Sequence, residues 1–208
     1  MRVPKKFTEK EKDWIQHKLL EEGRRRFAAS GLRKTSVEDL TKACGIAQGS
    51  FYLFFASKEV LFYQLLLEEE QRIRVTLLES YLAEDVVAKE SIKRFMLEAF
   101  RLLSESPLMK QMYLEGDFEQ LVRKLPAEML ERNFAEDRDA LMPVIRRWQA
   151  SGLLAGTRPE LIVGMLRSLL LLSLHKKEIG EAVFDETIAL LIDLITEGML
   201  ANQDAGRG

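Results

Sequence analysis

Residues 36–55, SVEDLTKACGIAQGSFYLFF, spell a helix, a tight turn and a second short helix. Val37, Leu40 and Cys44 recur at spacings of three and four, the mark of one helix face. Ser36 stands just before that run, where its side-chain oxygen accepts a backbone N–H of the first turn. Asp39 adds a negative charge at the positive end of the helix dipole. Gly45 follows where a helix stops, because glycine enters the left-handed conformation cheaply. Ile46 then plugs the turn against the core. A second helix is predicted from about Ala47 to Phe54, and it opens on the small and polar Ala47, Gln48, Gly49 and Ser50. Small residues let a helix end approach a groove closely, and Gln48 and Ser50 can hydrogen-bond base edges or phosphates. The layout is that of a DNA-reading helix-turn-helix.

Working outward, a first helix is expected from Thr8 to Ser30, with Thr8 and Glu11 at capping-box spacing. Ile15, Leu19, Gly23 and Phe27 repeat every four residues as its buried stripe, and Gly31 ends it. Arg24, Arg25 and Arg26 fall on different sides, mostly as a solvated face. Ser57 caps a fourth helix from Lys58 to near Leu82, whose N-terminus, beside Lys58, is an expected phosphate site. Further helices follow from about Lys89. Pro107 and Pro159 open two of them, Gly116 and Pro126 interrupt, and one long helix runs from Ala127 to Ser151. The last covers about Asp185 to Ala201, and the tail beyond it is expected to be disordered.

Composition agrees with an all-α chain. The 208 residues are 47% hydrophobic, with only 12 Gly and 5 Pro. A single Cys excludes an internal disulfide and suits a reducing cytoplasm. The apolar run from Leu161 to Leu174 is broken by Arg167 and falls short of the ~20 residues a membrane span needs. The N-terminal stretch has positive charge but no apolar segment after it, unlike a secretory signal. The expectation is a cytoplasmic protein that does not enter membranes. Residues 1–58 carry 13 Lys/Arg against 7 Asp/Glu, or +6, while the rest carries 18 against 26, or −8. A basic head on an acidic body draws DNA phosphates to one end only.

Residues 19–67 resemble the N-terminal domain of the tetracycline-repressor (TetR-like) family of transcription regulators. The resemblance rests on Phe27 and Gly31, then Thr35-Ser36-Val37-Glu38-Asp39-Leu40 and Ala43-Cys44-Gly45-Ile46. It continues through Gly49-Ser50-Phe51-Tyr52, Phe55 and Ser57-Lys58-Glu59-Val60-Leu61-Phe62. It covers about a quarter of the chain, and its order and spacing are specific. Three positions depart from the pattern. Gly23 sits where a small helix former is usual, at a cost of ~1 kcal/mol relative to alanine. Phe54 replaces a polar aromatic, and Cys44 a common alanine. The resemblance implies an all-α fold, with an N-terminal three-helix helix-turn-helix DNA-binding domain (1–57) and a C-terminal helical ligand-binding and dimerisation domain (58–208).

It also implies partners: a palindromic double-stranded DNA operator, a small-molecule effector and a second copy of the chain. In the head, Gln48 and Ser50 are expected to read bases or reach phosphates, and Gly49 to permit close approach. Tyr52 would offer its hydroxyl to a phosphate while Phe51 and Phe55 pack inward. Thr35 and Ser36 would bind phosphate, and Lys34 and Lys58 would add charge. An adaptable apolar effector pocket is expected from Phe95, Met96, Phe100, Met112, Tyr113, Phe118, Phe134, Trp148 and Met165. The last two long helices are apolar on more than one face. A homodimer through Leu166, Leu169, Leu170, Ile188, Leu191, Ile192 and Ile195 would cover the surplus in a two-fold four-helix bundle.

Catalysis is not expected. His17, His175 and Cys44 lie far apart in sequence, and no zinc spacing, phosphate loop or nucleophile motif occurs. No metal or cofactor is expected either. His175 reads as structural, and Glu68-Glu69-Glu70 as a solvated helix face. The function expected is a ligand-responsive regulator, a repressor above all. An activator, or an architectural DNA-binding protein using the same head, are the alternatives.

Overall fold

The helix boundaries of the computed structural model fall on residues chemically suited to start or stop a helix. It describes residues 7–82, 88–114, 117–154, 156–172 and 175–201. The expected break at Gly116 and the tail 202–208 therefore lie outside the described residues. Helix α1 spans Glu9–Lys34. Thr8 caps it, its hydroxyl accepting from the Glu11 N–H at 3.3 Å, while the Glu11 carboxylate accepts from the Thr8 N–H at 2.8 Å. Gly31 breaks the helix at φ 73°, yet one more turn follows before the chain straightens at Thr35.

Helix α2, Val37–Cys44, begins on a reciprocal Ser36–Asp39 capping box and stops at Gly45, whose φ of 68° needs no Cβ. The Gly45 and Ile46 N–H groups then donate to Lys42 O and Thr41 O, satisfying the last carbonyls. The second helix of the motif is a two-turn 3₁₀-helix, Gln48–Leu53, rather than an α-helix. Its ends are closed by Ser50 N–H to Ala47 O and Phe54 N–H to Phe51 O, both 2.9 Å.

Next come α3 (Lys58–Leu82), α4 (Lys89–Glu105), α5 (Pro107–Leu114), α6 (Asp117–Lys124) and α7 (Ala127–Ala150). They are followed by α8 (Pro159–Leu172), the one-turn α9 (Lys176–Ile179) and α10 (Phe184–Ala201). No strand occurs among the described residues, so the fold is all-α. The chain forms two compact units. The first joins residues up to Glu69 with Pro107–Leu125, and the second joins Glu70–Ser106 with the chain from Pro126 onward. The division falls within α3, further along than the 57/58 break read from the sequence, and it assigns α5 and α6 to the first unit.

In the first unit, Ile15, Leu19, Gly23 and Phe27 are buried as one stripe of α1. Phe27 meets Phe62 edge-on at 5.0 Å. A Cβ on Gly23 would stand 3.1 Å from Leu65 Cδ1 and 3.2 Å from Leu61 Cδ2. The glycine, unfavourable within a helix, is thus what lets α1 and α3 approach so closely. Helices α5 and α6 also pack on α1.

The second unit is built on Trp148, which is fully buried. Its ring meets Phe95 edge-on at 5.4 Å and Tyr81 at 6.0 Å, and its indole N–H donates to the Tyr81 hydroxyl. Ile92, Met96, Val144, Ile145, Ile162, Leu169, Ile188 and Ile192 complete this core. Lys93 and Asp193 pair at 2.5 Å where α4 packs on α10. No helix among the described residues is long and apolar enough to cross a membrane.

Candidate nucleic-acid interface

The reading turn is wound so that one residue faces inward and its neighbours face out. Phe51 is fully buried and meets Phe55 at 5.8 Å, as the spacing predicted. Gln48 and Gly49 are exposed, Ser50 is half-buried, and Tyr52 stands 58% exposed with its ring edge-on to Phe51 at 5.5 Å. Side chains three apart eclipse in a 3₁₀-helix, so Gln48 shares the row of Phe51 but is exposed at the start of the helix, while Gly49 and Tyr52 form a second row and Ser50 and Leu53 a third. The second and third rows point away from Phe51. Phe54 is half-buried, its ring 6.2 Å from that of Phe7.

Gly49 has neither a positive φ nor any atom within 4 Å of where a Cβ would stand. Nothing among the described residues calls for a glycine there, unlike Gly23 or Gly45. The open space lies on the outward face of the turn.

Ser36 and Lys34 are exposed beside α2. The Ser36 hydroxyl accepts from the Asp39 N–H at 3.1 Å and donates to Asp39 Oδ2 at 2.5 Å. Those bonds from the Ser36 side chain and backbone hold the Asp39 carboxyl below its usual range. Burial, and next the Glu22 charge, push the Cys44 thiol up, so this cysteine is a packed small residue rather than a thiolate.

Two residues expected at phosphates are engaged within the head itself. Thr35 is buried, and its hydroxyl donates to Gly31 O at 2.9 Å. Lys58 donates to Leu32 O at 2.7 Å and Thr35 O at 2.8 Å. Its ammonium therefore closes the C-terminal carbonyls of α1, the partners that a helix end needs. The N-terminus of α3 is likewise filled from within, by Glu59, which is buried and pairs with Lys124 of α6 at 2.8 Å. Burial pushes the Glu59 carboxyl up. Lys124, the Glu59 N–H and Ser57 outweigh that and leave it below the ordinary range.

Arg25 and Glu68 are exposed, as expected of solvated faces, whereas Arg24 is half-buried and Glu69 buried. Arg24 bridges Glu68 at 2.8 Å and Glu69 at 3.1 Å, with Glu69 almost fully buried. Arg25 binds Glu22 at 2.7 Å. The Arg24 partners lie 44 and 45 positions away, a separation that periodicity does not reveal, whereas Arg25 and Glu22 are an ordinary i,i+3 pair. Leu53 escaped the sequence reading because it stands within an apolar run. Its offset of two from Phe51 was the available signal.

One prediction follows from the Glu59 pair. A carboxyl whose pKa is lowered by folding stabilises above its unfolded value, roughly pH 4–4.5, and loses that contribution as pH falls below it. Lys124→Met leaves burial as the dominant influence and raises the Glu59 pKa. Urea titrations at several pH values are expected to show a loss of about 1–3 kcal/mol near neutrality, with Lys124 half exposed to water. The decline of stability on the acid side is expected to shrink.

In the second unit, Phe95, Met96 and Trp148 lie in the core, with Phe100 and Met165 partly buried against it. Met112 is buried in the first unit, apart from the others. The side chains of Tyr113, Phe118 and Phe134 lie outside the described residues. A groove of about 400 Å³ opens elsewhere in this unit, lined by Glu131, Ala135, Arg138, Glu160, Val163, Gly164 and Arg167 of α7 and α8. Its mixed charge differs from the apolar pocket expected, and charged residues in sequence read as ordinary solvated faces.

Of the residues expected between subunits, Leu169, Ile188 and Ile192 are buried in the unit's own core. Leu166, Leu170, Leu191 and Ile195 are half-buried. Among the exposed apolar residues of this unit are their neighbours Leu161 and Leu171 on α8 and Leu190 and Leu194 on α10, between 43% and 59% exposed. Among the described residues no three His, Cys, Asp or Glu side chains gather as a metal site.

Residues 19–65 match the family model described as bacterial regulatory proteins, tetR family. A Bacillus subtilis protein named an uncharacterized HTH-type transcriptional regulator, YdgC, is 30% identical over 127 residues, 58% of this chain. The match spans 65% of that relative's length, a little under two thirds. A crystallised TetR-family transcriptional regulator from Pectobacterium atrosepticum aligns with a TM-score of 0.73 at 18% identity, over 93% of this chain and 98% of its own. The TetR-family regulator PfmR from Thermus thermophilus aligns with a TM-score of 0.56 at 25% identity, over 86% and 93%.

Proposed function

We propose that this TetR-like chain, with the DNA-binding head of the tetR family of bacterial regulatory proteins on the fold of that family's solved members, is a sequence-specific, ligand-responsive repressor. The observation that carries the reading is the outward face of the reading turn. Gln48, Gly49 and Tyr52 stand exposed there around an inward Phe51, and Gly49 is left open for something outside the chain. A backbone approached that closely fits the major groove of DNA, with Gln48 and Ser50 at base edges and Tyr52 at a phosphate. Lys34 remains as a phosphate contact, whereas the Ser36 hydroxyl and N–H both donate to the Asp39 carboxylate. Thr35 and Lys58 support that surface from behind by fixing the end of α1.

Two copies would place two reading turns on one face of DNA, a full helical turn or somewhat more apart, from ~34 Å upwards. The operator would then be a palindrome. Leu161, Leu171, Leu190 and Leu194 support pairing, because a second copy covers apolar surface that otherwise faces water. The pairing face is proposed to be this outer stripe, with Ile188 and Ile192 behind it. Leu190→Glu with Leu194→Glu is expected to sediment as a monomer with its helicity retained. A dimer persisting at micromolar concentration would place the interface elsewhere.

The effector is proposed to be an apolar or amphipathic small molecule acting on the second unit. Phe95, Met96 and Trp148 pack against one another there, so such a ligand would have to part them. It need only favour the opened state over the DNA-binding one. The direct test of the function is Gln48→Ala. If Gln48 reads a base, operator affinity is expected to fall by ~1–3 kcal/mol in an equilibrium titration at fixed salt. Unchanged affinity would remove Gln48 from the interface.

A further inference from the structure

Leu53 is 72% exposed, the most exposed large hydrophobic side chain among the described residues. A lone exposed leucine on a surface needs no explanation. This one stands one turn beyond Ser50, in a row facing away from the core, beside the exposed Tyr52 and the open backbone of Gly49. The stretch that presents it has a second peculiarity: residues 45–57, GIAQGSFYLFFAS, contain no Lys, Arg, Asp or Glu. The basic residues of the head lie outside this stretch.

The two facts limit which base pairs the turn can read. Guanine offers two acceptors in the major groove and is matched by Arg or Lys, and cytosine offers a donor matched by Asp or Glu. The turn has none of these. Adenine offers an adjacent donor and acceptor, matched by an amide such as Gln48. Thymine adds a 5-methyl group, the one apolar feature of the major groove and a suitable partner for an exposed leucine. Resting on the DNA-reading function proposed above, we infer that the turn reads an A·T step in each half-site. Gln48 takes the adenine edge, and Leu53 packs on a thymine methyl. Leu53 is thus a specificity-determining residue. The cations outside the turn supply affinity at phosphates without sequence preference.

The test uses the full-length protein and a duplex selected by it from a random pool. Each thymine is replaced in turn by deoxyuridine, which lacks only the methyl group. At one or two positions per half-site, affinity is expected to fall about three- to fivefold, the worth of one methyl taken out of water. Leu53→Ala is expected to lose that sensitivity while retaining the dependence on adenine N7, read with 7-deazaadenine, which Gln48→Ala loses. Thermal unfolding of Leu53→Ala checks that the exposed substitution leaves the fold intact. Half-sites of G·C pairs beneath the turn, indifference to uridine throughout, or a Leu53→Ala protein that keeps the full uridine penalty would each overturn this inference and leave DNA reading standing. A protein that selects no sequence at all would overturn both.

Discussion

Gly49→Val is expected to weaken operator binding by roughly thirtyfold or more with no loss of thermal stability. Nothing lies within 4 Å of a Cβ at this position, and its backbone angle is open to any residue, so the fold tolerates the added bulk. Exchanging glycine for a residue of lower backbone entropy gives no reason for the head to loosen. The bulk instead stands on the outward face, where it would hold the turn off the groove. Gln48 and Tyr52 flank it, and losing two contacts at ~1–3 kcal/mol each corresponds to about 30-fold to 10⁴-fold in affinity. Titration against a selected duplex, with circular dichroism melting as the control, reads both quantities. Full affinity in a folded Gly49→Val protein would mean that DNA does not approach this face.

Trp148→Ala is expected to cost about 3–5 kcal/mol, the range for deleting a large aromatic from a packed core. Trp148 is fully buried against Tyr81 and Phe95, and its removal also leaves the Tyr81 hydroxyl without its indole donor. Urea unfolding is expected to show a lower midpoint with an unchanged slope in the transition that reports the second unit. A loss below ~1 kcal/mol would show the site to be loosely filled, and so to be pocket rather than core. The same measurement therefore bears on the effector. A ligand that enters between Phe95, Met96 and Trp148 must displace contacts of this worth, and its affinity is reduced accordingly.

What could be read in the sequence and what could not divide along a physical line. Capping of α1 by Thr8 and Glu11, of α2 by Ser36, and the stop at Gly45 each depend on residues within one helical turn. All are visible as short patterns and stand in the structure as expected. The inward Phe51 and Phe55 followed from spacing in the same way. Lys58 bonds to residues 23 and 26 positions away, Glu59 to one 65 away, and Arg24 to residues 44 and 45 away. No local pattern predicts such partners, so Lys58 looked free for phosphate and Glu69 looked solvated.

Helix α10 shows a related limit. Its periodicity reveals two apolar stripes but not which of them faces the unit's own core. Ile188 and Ile192 were expected between subunits and are interior, while Leu190 and Leu194 are outside. Gly23 carried no sequence rationale, because the reason for it lies in Leu61 and Leu65 on another helix. The groove of α7 and α8 went unseen because opposite charges on two helices look alike whether or not they line a cavity.

The head is proposed to read specific DNA as a two-fold pair. Selection of bound duplexes from a random pool, repeated at several salt concentrations, tests it most directly. A palindrome with sharp base preferences is expected, its half-sites a helical turn or somewhat more apart, with overall affinity falling as salt rises while the preferences persist. Repeating the selection on protein unfolded and refolded to strip bound ligand removes the case of a repressor purified in its released state. Binding that shows no sequence preference in either preparation, and that fades with salt, would contradict the account and leave an architectural DNA-binding protein in its place.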